Sequence, residues 1–270
     1  MLHKRINLSS IKPFYLLGAL CTIGIVMFLA LPLLALFLRT TPELLIASLL
    51  SPTVEKALVV SFITTTCTTI LILILGTPAA YIQSRIVYPG KKLVDTFIDL
   101  PIVLPPAVAG FALLLMFGRM GLLGKYLYLW DISIPFTMTA VIMAQFFVAA
   151  PLYIRQAKSL FGQLDRSYEE AARTLGAGPM RVFITITLPL TFTGLLSGTI
   201  ISFARALGEF GATIMFAGNL PGVTQTMPLA IYTSMQSDIN IAVTISIILI
   251  IISISVMMAV RFISGEEDHA

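Results

Sequence analysis

Two oppositely charged residues, Arg205 and Glu209, stand inside a long apolar stretch, where charged side chains are energetically unfavourable. Their spacing of four residues places both on one face of a helix, so they can form an ion pair. In a membrane protein, such a pair could line a transport pathway, where the cation attracts an entering anion, or it could lock a gate at the outer end of that pathway. We favour a structural ion pair, because an anion held strongly by the arginine would not be released.

A second candidate site is the polar segment 155–189, which carries the signals of a short helix. Ser167 and Glu170 have the spacing of a capping box, which marks a helix start. Gly176 marks the end of the same helix. The predicted helix over 168–175 is about 12 Å long, which is too short to cross a membrane.

The predicted short helix has two different faces. Its apolar residues recur at helical spacing on one face: Tyr168, Ala171, Ala172 and Leu175. The opposite face carries Glu169, Glu170, Arg173 and Thr174. A helix of this kind fits a groove on a partner protein. From spacing alone, a helix that merely packs beneath the rest of the chain is an equally good interpretation.

The sequence contains no recognisable enzyme site. The stretch around Gly124 and Lys125 lacks the first glycine of a phosphate-binding loop, and Tyr126 replaces its serine or threonine. Both histidines, His3 and His269, lie at the chain ends, and the two cysteines have no metal-type spacing. We therefore predict no catalytic residue, no metal site and no cofactor bound by this chain.

The composition predicts an integral membrane protein, since 57% of the 270 residues are hydrophobic and only 11% are charged. A helix needs about 20 apolar residues to cross a bilayer, and backbone polar groups in lipid need internal partners. We expect one membrane domain over 1–270, all-α, with about six spans. The predicted spans are 13–38, 57–84, 100–118, 132–154, 190–216 and 239–262.

Interruptions are predicted in and after these spans. Pro101, Pro105 and Pro106 should break or kink the start of the third span, as in helices that line transport routes. The residues after Phe216 contain glycines and prolines, which favour an outer loop. A short surface helix is expected near 227–236.

The basic residues predict the orientation of the chain. The flanks that include both termini and the segments 85–99 and 155–181 hold twelve lysines and arginines, against four on the opposite flanks. Because cytoplasmic flanks carry the basic excess, both termini should be cytoplasmic. The expected location is the cell (plasma or inner) membrane, and the basic charge of the chain does not indicate a nucleic-acid partner.

The pattern Glu170-Ala171-Ala172, Gly176, Ile186 and Leu188-Pro189 resembles the Glu-Ala-Ala loop of permease subunits of ABC importers. The resemblance implies that 155–189 contains the coupling helix, which docks on a separate ATPase subunit that binds ATP and Mg²⁺. The residues implied in that contact are Glu169, Glu170, Ala171, Ala172, Leu175 and Gly176. It also implies an ABC importer permease fold, a second permease copy and an extracytoplasmic binding protein.

Three further segments, 100–111, 202–214 and 217–234, resemble the molybdate and sulfate permeases. The resemblance implies import of an oxyanion by alternating access. Molybdate is the favoured substrate, with sulfate and tungstate as alternatives. An ion-coupled secondary transporter is the rival class, for which only Glu209 offers an intramembrane carboxylate. A membrane enzyme would need a catalytic cluster at one membrane face, which the sequence lacks.

Overall fold

The computed structural model describes the backbone of residues 8–264, and the side chains of residues 15–259 and 262. All regular structure in this range is helical. The helices are α1 (Leu8–Leu38), α2 (Pro42–Leu49), α3 (Pro52–Arg85), α4 (Lys91–Val103), α5 (Pro106–Phe117), α6 (Gly124–Tyr128), α7 (Met138–Gln163), α8 (Arg166–Thr174), α9 (Pro179–Val182), a π segment (Phe183–Thr187), α10 (Leu188–Leu207), α11 (Gly211–Ala217), α12 (Met227–Ser237) and α13 (Ile239–Ser264).

Five helical stretches are each long and apolar enough to cross a bilayer: Tyr15–Leu38, Pro52–Arg85, Met138–Gln163, Pro179–Leu207 and Ile239–Ala259. A sixth arises if α4 and α5, bent by 115° at their junction, count as one span. Within residues 8–264, this confirms the predicted all-helical membrane fold of about six spans. The first, second and last spans lie within five residues of their predicted bounds.

The third span is not the single helix over 100–118 that the sequence predicted. Its first half, α4, begins at Lys91, and the chain breaks at Leu104 and Pro105. Leu104 is extended, with φ −66° and ψ 135°, because a proline disfavours the helical conformation of the residue before it. Pro105 therefore breaks this span, as its position indicated, and Pro106 begins α5, whereas Pro101 lies inside α4 without interrupting it.

The fifth span also differs from its predicted range of 190–216. The helix begins at Pro179 and continues to Leu207, and a non-helical break then separates α10 from α11. Pro189 does not interrupt it, because the turn before the proline widens into the π segment. There the Leu188 N–H donates to the carbonyl of Phe183, five residues earlier.

The fourth span, α7, begins and ends later than the predicted 132–154. Thr137 precedes it, and its hydroxyl oxygen accepts a hydrogen bond from the Ala140 N–H at 3.3 Å. Since α7 continues to Gln163 and α9 starts at Pro179, the connection that holds α8 covers only 164–178. The predicted coupling loop of 155–189 was therefore too long at both ends.

The helices α3 and α7 form the centre of the bundle. Gln145 of α7 is fully buried; its side-chain oxygen accepts from Thr68 at 3.0 Å, and its amide donates to Thr65 at 3.3 Å. In an apolar environment such hydrogen bonds hold neighbouring helices in register. Both threonines of α3 are themselves fully buried, so their hydroxyl groups serve in packing the two helices together.

The broken spans three and five meet at their breaks. A Cβ atom at Gly110 of α5 would lie 2.4 Å from the Ala212 carbonyl oxygen of α11. At Gly211, a Cβ would lie 2.8 Å from Cβ of Pro106. The two half-helices thus pack too closely for a side chain at either position, which favours glycine at both. Because the predicted orientation places these half-helices on the outer side of the membrane, we call α5 and α11 together the outer wedge.

The short helix predicted near 227–236 is present as α12, which is buried over its first turn and mostly exposed from Tyr232 to Ser237. Met227, Leu229 and Ala230 are fully buried. The Met227 N–H donates to the Ser61 hydroxyl of α3 at 2.7 Å. The connection after the outer wedge therefore folds back into the bundle.

Candidate coupling site and outer ion pair

The helix α8 begins at Arg166, two residues before the predicted start. Its N-cap is Asp165, whose carboxylate accepts a hydrogen bond from the Ser167 N–H at 2.9 Å. The capping box predicted at Ser167 and Glu170 is therefore wrong, because α8 starts as soon as α7 has ended. The hydrogen bond from the Ser167 backbone lowers the pKa of Asp165 below its ordinary 3.8.

Asp165→Ala is expected to loosen the first turn of α8, because the Ser167 N–H then loses its acceptor. Asp165→Asn retains an acceptor oxygen and serves as the matched control. Amide hydrogen exchange over 166–169 should be faster in the alanine variant only. Since the pKa of Asp165 is lowered in the folded state, the cap stabilises the first turn of α8 fully at a pH above the ordinary pKa of 3.8. This stabilisation is lost as the pH falls through the lowered pKa. Equal exchange in the two variants would contradict this role.

The end of α8 agrees with the glycine signal in the sequence. The helix ends at Thr174, and Gly176 has a φ of +87°, a conformation that glycine adopts without steric cost. The Ala177 N–H donates to the carbonyl of Ala172 at 3.1 Å, which satisfies one of the last helical carbonyls. Gly176 is therefore the stop that was predicted.

The exposure of α8 shows how the helix is oriented. Leu175 is 89% exposed and Tyr168 is 55% exposed, and Glu170 and Ala171 are exposed as well. Ala172 is half-buried, and Glu169 is only 4% exposed. The apolar side chains thus point away from the bundle, and a glutamate points into it. This is the reverse of what a helix packed beneath the bundle by its apolar face would show.

The contacts of Glu169 lie within its own chain. Its Oε1 accepts a hydrogen bond from the Arg85 guanidinium at 2.8 Å and another from the Thr187 hydroxyl at 2.9 Å. Arg173 lies farther away, at 3.9 Å from Oε2. The carboxylate of Glu169, which was predicted to contact an ATPase, therefore lies against the bundle in this chain. Sequence reasoning missed Arg85 and Thr187, which no local spacing connects to α8.

The predicted ion pair between Arg205 and Glu209 is confirmed, with 2.8 Å between Nη1 and Oε2. Glu209 is 1% exposed, and its other oxygen accepts from the Ala212 N–H at 2.8 Å. One carboxylate therefore joins the end of α10 to the first turn of α11, across the break in span five. The arginine side chain remains 34% exposed.

The described residues contain no group of three or more His, Cys, Asp or Glu that could hold a metal ion. What the chain presents is a membrane bundle with two broken spans, and a short capped helix whose apolar side is uncovered. These features are typical of a multi-pass membrane protein of the transporter class, in which broken spans often line the transport route.

The sequence pattern of the family described as binding-protein-dependent transport system inner membrane component matches residues 72–265. The chain belongs to this family. It is accordingly a multi-pass inner-membrane protein and a permease subunit of an ABC importer, not its ATPase, as the sequence predicted.

Curated relatives support this family. The molybdenum transport system permease protein ModB of Mycobacterium tuberculosis is 40% identical over 235 residues, covering 87% of this chain and 89% of the relative. ModB of Escherichia coli is 47% identical over 159 residues, covering 58% and 69%. The sulfate transport system permease protein CysW of Synechocystis is 34% identical over 230 residues, covering 84% and 83%.

Solved structures share the fold. A bacterial alginate ABC transporter in complex with an alginate pentasaccharide-bound periplasmic protein aligns with a TM-score of 0.73 and 14% identity, over 95% of this chain and 96% of that one. The inward-facing methionine transporter MetNI aligns with a TM-score of 0.59 and 17% identity, over 77% and 94%. The ABC importer permease fold is thereby confirmed.

Proposed function

We propose that this chain is the membrane subunit of an ATP-driven importer of molybdate, and that α8 is its coupling helix. The observation that carries the coupling role is the exposed side of α8, with Tyr168, Ala171 and Leu175 uncovered beside Glu170. A helix of this kind fits a groove on a partner. The proposed ATPase contact comprises Glu170, Ala171, Ala172, Leu175 and Gly176, without Glu169.

The substrate follows from the relatives. Those with 40% to 47% identity quoted above are named for molybdenum transport, and the sulfate permease is 34% identical. The rival class of an ion-coupled secondary transporter loses its one candidate residue, because both oxygens of Glu209 are engaged in structural contacts. Sulfate and tungstate remain the alternatives that the experiment below tests.

The proposed assembly contains two copies of this chain, a dimer of cytoplasmic ATPase subunits with ATP and Mg²⁺, and an extracytoplasmic oxyanion-binding protein. The first span supports the second copy, since none of its residues between Tyr15 and Leu38 is buried within the chain. An unburied span can pack against a neighbouring permease, with lipid on its other side.

Both termini are proposed to be cytoplasmic, on the same side as α8. The basic excess on that side supports this orientation. The side chains of four of the twelve basic residues on that side lie outside the described residues: Lys4, Arg5, Lys12 and Arg261. The same holds for the two histidines. In this orientation α10 rises from the cytoplasmic side, so Arg205 and Glu209 lie in the outer half of the membrane, beside the outer wedge.

In the proposed cycle, closure of the ATPase dimer on ATP pushes α8, and the two permeases turn from inward-open to outward-open. The binding protein then delivers the oxyanion, and hydrolysis resets the complex. Arg205 and Glu209 are proposed to belong to the outer gate, where the pair joins α10 to the outer wedge. The partly exposed Arg205 faces the entering anion. The carboxylate of Glu209 offsets the charge of Arg205, so that the anion is not bound too tightly to be released.

The test is ATP hydrolysis by the complex in lipid, with binding protein that is empty or loaded with molybdate, tungstate or sulfate. Stimulation is expected with molybdate. Glu170→Lys should abolish ATPase assembly or its stimulation, because it reverses a charge on the exposed side of α8. Glu43→Lys makes the same change at an exposed residue of α2 and should behave as wild type. A wild-type chain that binds no ATPase and responds to no anion would overturn the importer proposal.

A further inference from the structure

Glu169 is unusual because it is a buried carboxylate on a short helix that is otherwise largely exposed. Its Oε1 accepts two short hydrogen bonds, from Arg85 at 2.8 Å and from Thr187 at 2.9 Å. A buried charge that loses its partner is strongly unfavourable, so these side chains stabilise one another. We call Arg85, Glu169 and Thr187 the coupling clamp.

The clamp joins elements that are far apart along the chain. Arg85 is the last residue of α3, and Thr187 is the last residue of the π segment at the base of α10. Both terminal nitrogens of Arg85 also lie 3.4 Å from the carbonyl oxygen of Leu164, where α7 ends. The cytoplasmic ends of spans two and five therefore meet at one carboxylate of α8, and the end of span four joins them through Arg85.

Few other features hold α8 against the bundle. On one side it is joined to α7 through Leu164 and Asp165, and on the other it ends at Gly176, whose φ is +87°. Apart from Glu169, only Ala172 of α8 is shielded from solvent, and only in part. A helix attached by short non-helical links would pivot when pushed, unless a side-chain contact fixed its orientation.

We propose that Glu169 is a positioning residue, which through Arg85 and Thr187 makes α8 and the cytoplasmic ends of spans two, four and five move as one body. This inference rests on the proposed coupling role of α8. It assigns transmission of the ATPase motion to a contact inside the permease, distinct from the contact with the ATPase itself. The widened π turn belongs to the same device, since it ends at the threonine that binds Glu169.

The test is the number of oxyanions transported per ATP hydrolysed by the assembled complex. Glu169→Gln keeps the size of the side chain and an acceptor for Thr187, but removes the charge that holds Arg85. The transport ratio is expected to fall by about tenfold, the usual size of a coupling between two sites, while the ATPase remains bound. Thr187→Val should lower the ratio in the same direction, and Thr187→Ser, which keeps the hydroxyl, should restore it.

Asp95→Asn is the matched control, because Asp95 forms an ion pair with Lys158 at 2.6 Å, near the cytoplasmic end of α7 but outside the clamp. The control should keep the wild-type ratio. The clamp proposal fails if Glu169→Gln also keeps that ratio, or if Asp95→Asn lowers it as much. It also fails if Thr187→Ser and Thr187→Val behave alike.

A second measurement separates this inference from the transport assignment. In the purified full chain without any ATPase, Glu169→Gln should speed amide hydrogen exchange within 169–174 by about tenfold, because local opening becomes easier. Asp95→Asn should leave that exchange unchanged. If exchange responds as expected but no anion stimulates the wild-type complex, the importer proposal fails and the clamp stands. If exchange in Glu169→Gln equals that of wild type, the clamp is overturned.

Discussion

Gly110→Ala is expected to destabilise the protein by about 3 kcal/mol, at the upper end of the cost of overpacking, and to abolish transport. The added Cβ would lie 2.4 Å from the Ala212 carbonyl oxygen and 2.8 Å from its Cα. Both atoms belong to backbone, so no rotamer change can relieve the clash. The two helices of the outer wedge would have to separate, although together they bury Leu113 and Phe216. The apparent midpoint of thermal unfolding in detergent measures the loss.

Gly162→Ala is the matched control for this prediction. Gly162 also lies in a helix, but a Cβ there would meet nothing within 4 Å. Alanine is the better helix former, so this variant should be neutral or more stable by up to about 1 kcal/mol. If Gly110→Ala unfolded at the same temperature as Gly162→Ala, the close contact between α5 and α11 would be wrong.

Arg205→Gln is expected to lower stability by about 3 kcal/mol, because it leaves the buried carboxylate of Glu209 without its countercharge. This is the low end of the cost of breaking a buried pair, as the Arg205 side chain is already 34% exposed. The converse change, Glu209→Gln, should cost only about 1 kcal/mol. It keeps an oxygen for the Ala212 N–H and leaves a cation that water can reach.

The double variant Arg205→Gln/Glu209→Gln tests the reason for this asymmetry. With both charges removed, this site holds no buried charge, so the double variant should be more stable than Arg205→Gln alone. The comparison uses the apparent unfolding midpoint and size-exclusion profiles of the three variants. Losses that simply add in the double variant would show that the two side chains do not stabilise each other.

The outer ion pair and the broken spans could be predicted because their causes are local. Arg205 and Glu209 are four residues apart, and the turn that ends α10 between them is enough to bring the two side chains together, although the helix itself ends at Leu207. Pro105 and Pro106 act on their own backbone and on the residue before them, and Leu104 is extended as a result. Gly176 likewise ends α8 through its own backbone freedom.

Helix bounds were harder to predict, because a local signal can have competing outcomes. Ser167 and Asp165 are both good N-cap residues. Asp165 is the N-cap in the structure, because α7 ends at Gln163 and α8 starts directly after it. Pro189 could have started the fifth span. Instead, the turn before it widened into a π segment, which allowed one helix to continue from Pro179.

The sequence by itself determined the membrane class, the number of spans, the family and the existence of the short helix α8. All of these depend on composition, on spacing within one segment, or on a motif of neighbouring residues. Only the tertiary structure decided which side of α8 is buried. Glu169 points inward because Arg85 and Thr187 lie there, 84 and 18 residues away in sequence. Such a contact depends on how the helices pack, and periodicity within one segment carries no information about it.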